Sequence, residues 1–203
     1  MNTVKQKAPP KTNPRKILIK KVKTSEVEIE VYAEVLSDRK DHSVTEAETT
    51  FKLVKGLSSG NFAEAPGYSW EPKGGQKIIV KINGPVEIKC TVEIQTAYGT
   101  NTKPTDRSVY GRGTTPADEK TGNISVGFHE SCHQNDYISY LRNKPFPVFS
   151  GKIGMTIQQY NQAVDAFLKS FDNYFKDMKK NSYRLTDEAG YKKSFYIAKG
   201  ARK

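Results

Sequence analysis

The chain has 203 residues, a net charge of +11 and 35% hydrophobic residues. That length supports one domain with a sizeable core, or a small domain with an arm. No apolar run approaches the roughly 18 residues of a membrane span, and Cys90 and Cys132 are too few for a disulfide framework.

Residues 1–15, with Pro9, Pro10 and Pro14 among lysines, are read as a disordered basic tail. Eight Lys or Arg and no acid occur from Met1 to Lys23, and Lys192 to Lys203 is basic too. Such ends suit an acidic partner or a secretion apparatus. Finger spacing, an RNP-type aromatic motif and a dimeric basic helix are all missing, so no specific nucleic-acid binding is expected. The basic start lacks the apolar core of a secretory signal. A cytoplasmic protein, a mature form or one exported by a specialised route is therefore expected.

Residues 16–98 are read as β-rich. Ile17 to Ile19 opens the region, and Val27 to Val35 alternates apolar and acidic residues, the period of a strand with one face in water. Thr49 to Val54, Lys77 to Ile82 and Val86 to Thr96 follow as strands, punctuated by Gly74-Gly75 and Gly84-Pro85. The only tryptophan, Trp70, is expected to anchor this layer. Residues 99–123, rich in Gly, Thr, Pro and Asp, read as a long loop bordering a cleft.

Residues 99–203 form the second region, a loop plus helices, either distinct from 16–98 or continuous with it. Ile124, Val126 and Phe128 alternate with small or polar residues, like a short strand. From Phe128 to Asn143 there is no Gly or Pro, and Pro145 stops a helix of about four turns. Thr156 and Gln159 form a capping box. Apolar residues from Ile157 to Met178, mostly three and four apart, then give a long amphipathic helix to about Lys180. The expected fold class is α+β, a β-rich N-terminal half followed by a helical C-terminal half.

Chemistry concentrates in His129-Glu130-Ser131-Cys132-His133, which reads H-E-x-x-H and uses two of the chain's three histidines. On a helix, residues four apart share a face, so both imidazoles can reach one point and supply half of a tetrahedral zinc site. Glu130, offset around the helix, is free to take a proton from a zinc-bound water. Asp136 and Tyr140 share the histidine side of the wheel. Cys132 is read as a small packing residue.

On this motif and its strand–helix context the chain resembles the zincin metallopeptidases. The resemblance implies a cleft peptidase that binds Zn2+ through His129 and His133, with Glu130 as general base and a peptide or protein as substrate. The metzincin branch is a poor match, since Asp136 and Ser139 stand where its extended motif has Gly and a third His. A gluzincin-like arrangement, with an acidic ligand after a later helix, fits better. It points to Glu188 in Thr186-Asp187-Glu188, with Asp187 next and Asp136 as the local competitor. Tyr140, Tyr183, Tyr191 or Arg184 is the expected oxyanion stabiliser, and the sequence does not choose among them. Two rival readings predict otherwise: a non-catalytic binding module with basic tails, and a metal hydrolase acting on a cell-wall peptide. A secreted toxin or effector acting on a host protein is compatible with the motif as well.

Overall fold

The computed structural model describes residues 15–57 and 59–190. Apart from Arg15, the expected basic tail lies outside the described residues, as do Tyr191 and the basic stretch Lys192 to Lys203.

The fold is α+β, with a β-rich N-terminal half and a helical C-terminal region. Its main sheet is built on β8 (Val86–Tyr98), which pairs in parallel with β2 (Val27–Val35) and β3 (Arg39–Lys40). On its other side β8 pairs antiparallel with β4 (Ala47–Lys55) and β5 (Ala63–Glu64). The strand β1 (Arg15–Lys23) adds antiparallel to β2. The alternation in β2 does what its period requires: Ile29, Val31, Ala33 and Val35 are buried, and their acidic neighbours face away from the core.

A separate ribbon pairs β6 (Gly67–Lys73) with β7 (Gln76–Asn83) around Gly74-Gly75. Both turn glycines have positive φ, +59° and +77°, which a tight hairpin turn demands. Trp70 lies on this ribbon and is 42% exposed, with the Lys77 ammonium 4.3 Å from its ring centre. It does not anchor the main core.

Among the described residues three helices follow: α1 (Pro116–Thr121), α2 (Val126–Asn143) and α3 (Ile157–Thr186). The expected loop over 99–123 therefore contains a helix, started by Thr115 as N-cap and Pro116 in the first turn. The strand expected over Ile124 to Phe128 does not form. Ser125 is an N-cap whose hydroxyl accepts from the Phe128 N–H at 3.1 Å, so the helix begins at Val126. The Thr156–Gln159 capping box is present, and α3 runs six residues past Lys180.

The helices α2 and α3 pack antiparallel. Tyr140 meets Tyr174 at 5.1 Å between ring centres, and nearer the start of α2 His133 meets Ser182. Strands and helices share one core, in which Val31, Val92 and Ile94 lie with Tyr137, Leu141, Phe171 and Met178. Cys132 and Cys90 are buried, and burial pushes both thiols up to about 12, so each is a packing group rather than a nucleophile. Four polar groups fix α2 on the sheet. Gln134 donates to Thr96 at 3.0 Å, Thr96 lies 2.6 Å from Thr49, and Thr49 donates to the Glu130 carbonyl at 3.4 Å. Satisfied buried polar groups of this kind define register as well as stability.

Candidate metal centre

The first two turns of α2 carry His129, Glu130 and His133, all buried, and the end of α3 brings Asp187 against them. The Asp187 Oδ1 lies 3.2 Å from His129 Nε2 and 3.3 Å from His133 Nε2. The ligand-capable atoms of the three side chains all fall within 4.8 Å of one another. Ligands held about 2.0–2.1 Å from a tetrahedral zinc lie about 3.4 Å apart, so the two Asp187 distances match the edge of such a site.

What each imidazole does with its other nitrogen decides the chemistry. His129 Nδ1–H donates to the Arg112 carbonyl at 2.9 Å. His133 Nδ1–H donates to the Ser182 hydroxyl at 2.8 Å, and Ser182 in turn donates to Asp136 Oδ2 at 3.3 Å. Asp136 also accepts from Thr186 at 2.8 Å. With both Nδ1 atoms bound as donors, each neutral ring presents an Nε2 lone pair. Two lone pairs and a carboxylate oxygen then converge. Only a cation makes that arrangement favourable, either a proton on a ring or a metal ion.

In metal-free protein the proton takes that role. Burial opposes charge on His129, but hydrogen bonds to Asp187 and to the Arg112 carbonyl outweigh it and raise the ring above its ordinary value. Burial likewise opposes ionisation of Asp187, and the two histidines outweigh it, holding the carboxyl at about 2. Burial dominates at Glu130 and raises its carboxyl, although His133 and His129 pull the other way. Burial also raises Asp136, against the Thr186 hydrogen bond.

Arg112 ties the site to the preceding loop. Its N–H donates to the Thr186 carbonyl at 2.8 Å, and its guanidinium holds the buried Asp118 of α1 at 2.9 Å. Gly111, at φ +59°, lets the loop press on the end of α3: a Cβ there would collide with the Thr186 carbonyl and come within 2.9 Å of Asp187 Cα.

Beside the histidines is a cleft of about 140 Å³, walled by the start of β4 with residue 46, by the 102–110 loop and by α2. His129 and Glu130 line it. Among the described residues, Glu130 Oε2 is buried and has no hydrogen-bond partner, a group that in a native protein calls for a water or a ligand. Tyr110, from the loop, packs edge-on against His129 with ring centres 4.8 Å apart. Burial raises its phenol, helped by the nearby Asp187, Glu130 and Glu46 carboxylates.

The structure thus brings His129, Glu130 and His133 together with Asp187. Glu188, the residue first expected to complete the set, is not in the group. The helix continues to Thr186, so Asp187 caps it facing the histidines, and the next residue is turned away by about 100°. Asp136 holds Ser182 and Thr186 rather than joining the group. Tyr140 packs on Tyr174 in the core, and Arg184 bonds Asn181 at the surface, so neither lines the cleft. Tyr183 is 45% exposed and is likewise not among the lining residues. Tyr110, Ser182 and Arg112 were not singled out from sequence. The chain matches no family model, no curated protein and no solved structure.

Proposed function

We propose that this protein is a zinc-dependent peptidase whose metal is held by His129, His133 and Asp187. The observation that carries the reading is the convergence of two Nε2 lone pairs and the Asp187 carboxylate beside the unpartnered, buried Glu130 Oε2. Two imidazoles and one carboxylate form a donor set that suits zinc and leaves the fourth position of a tetrahedron open. Zinc bound there supplies a Lewis acid and lowers the pKa of its water to about 7.

The chain's own residues do the remaining work. Glu130 accepts a proton from water as the oxygen attacks the peptide carbonyl, and delivers it to the amine nitrogen as the C–N bond breaks. Its burial favours this exchange, because a raised carboxyl pKa lies closer to the pH at which a general base must both take and return a proton. Tyr110 keeps its phenolic proton and lines the cleft, so it is the donor assigned to the developing oxyanion. Arg112, Ser182 and Asp136 hold the imidazole tautomers, as acceptors behind a ligating histidine do in zinc sites.

The test compares wild type with Glu130→Gln on unfolded protein substrates. The variant is expected to keep its zinc and lose turnover. Residual activity in a clean Glu130→Gln preparation contradicts the assignment.

A further inference from the structure

The cleft beside the metal centre carries an uneven charge. Its lining includes three carboxylates, Glu46, Asp106 and Glu130, against one cation, Arg107. The Arg107 guanidinium is paired at 2.9 Å with Glu119, which does not line the cleft. The Lys40 ammonium near this loop is taken up by the carbonyls of Gly99, Thr100 and Thr102, and Lys103, exposed on the loop, is not among the residues lining the cleft. Asp106 accepts the Lys103 N–H on Oδ2, which fixes its carboxylate in the loop.

Glu46 differs from all of these. Its backbone is anchored, with the carbonyl accepting from Gly99 at 2.7 Å, but among the described residues its carboxylate has no hydrogen bond or ion pair. It sits just before β4, where the cleft adjoins a second hollow lined by residues 43–48. It is also near enough to Tyr110 to help raise that phenol, so its charge is felt inside the cleft. The buried, unpartnered Glu130 Oε2 shows independently that the cleft is built to receive a polar ligand.

We infer that Glu46, supported by Asp106, forms a subsite selecting a cationic side chain, Lys or Arg, in the peptide bound beside the metal centre. The inference rests on the peptidase reading for the identity of the ligand as a peptide. Specificity of this kind is a difference between affinities, so its signature is preference for Lys over an uncharged side chain of similar shape. The global charge predicts the opposite: a chain of net charge +11 attracts acidic peptides and repels basic ones. A local preference for Lys therefore cannot come from the protein's overall field.

The experiment measures binding of two fluorescent peptides, identical except for Lys or norleucine at the central position, to full-length Glu130→Gln protein in zinc-containing buffer. The Lys peptide is expected to bind about fivefold more tightly, the scale of an ion pair open to solvent. The advantage should shrink with added salt. Introducing Glu46→Gln should abolish it. Introducing Glu71→Gln, at an exposed residue on the β6–β7 ribbon outside both hollows, should leave it intact. Equal binding of the two peptides, binding of neither, or an advantage that survives Glu46→Gln overturns the inference. Cleavage of the same peptides by the wild-type protein is scored separately. Lys preference in binding without any cleavage keeps the subsite and removes the peptidase reading; cleavage without Lys preference does the reverse.

Discussion

Removing one hydroxyl, in Ser182→Ala, tests whether the groups behind the histidines set the metal affinity. Ser182 is 1% exposed, and its oxygen joins His133 Nδ1 at 2.8 Å to Asp136 Oδ2 at 3.3 Å. Truncation leaves the ring N–H without an acceptor and leaves Asp136 with Thr186 alone. A buried donor stripped of its partner costs about 1–3 kcal/mol. Losing a hydrogen-bond partner behind a metal-ligating histidine weakens metal binding by about 10–100-fold, which is about 1.4–2.7 kcal/mol at 1.36 kcal/mol per decade. The two routes agree, so zinc affinity should fall by one to two decades while the protein stays folded. Competition with a chromophoric chelator reads the affinity, and denaturant unfolding of metal-free protein reads the stability. Ser170→Ala is the control, since that hydroxyl donates within α3, to the Phe167 carbonyl. Unchanged zinc affinity in Ser182→Ala, with the control also unchanged, would refute the reasoning.

Two further outcomes follow from the same geometry. In metal-free protein His129 is raised above its ordinary 6.5, so its contribution is fully present below that value and is lost as pH climbs through the raised one. Asp187 is lowered from 3.8 to about 2, so its contribution is present above 3.8 and is lost as pH falls toward 2. The chelator-treated protein should therefore gain most from this pair between pH 3.8 and 6.5, and Asp187→Asn should narrow the Tm difference between pH 5 and pH 8. Gly111→Ala should destabilise the protein and weaken zinc binding together, because the added Cβ strains a positive φ and pushes on Thr186 and Asp187. Thermal unfolding with and without zinc shows both effects; a smaller zinc-induced rise in Tm is expected.

The strands with a clean alternating period were legible, β2 to its end residues, because its apolar and acidic residues divide between two environments. The ribbon strand β6 was not: Tyr68, Trp70 and Pro72 do alternate with Ser69, Glu71 and Lys73, but Gly67 and Pro72 read as turn residues and both faces of the strand are largely exposed. The six-residue α1 hid in a Gly/Thr/Pro-rich stretch, although Thr115-Pro116 followed by Asp118 is a helix-start pattern. The two histidines and Glu130 were readable because helical spacing alone brings them together.

The third acidic group depended on where α3 ends. Its apolar stripe stops at Met178, but the buried face continues through Ser182 and Thr186 at the same four-residue step. Those small polar side chains are buried by their bonds to His133 and Asp136, which a count of apolar residues does not register. Asp187 follows directly on Thr186 as the C-cap, and the place where the helix ends sets it against the histidines. Tyr110 and Arg112 reach the site from a loop without periodicity, and their contacts depend on Gly111 meeting the end of α3.

The most direct measurement is metal content of the purified protein by mass spectrometry, for wild type, His129→Ala/His133→Ala, Asp187→Ala and Glu188→Ala. The account predicts one zinc per chain in the wild type and in Glu188→Ala, and its loss in the other two. Absence of zinc from folded wild type after zinc is added back, or loss in Glu188→Ala with retention in Asp187→Ala, would contradict it.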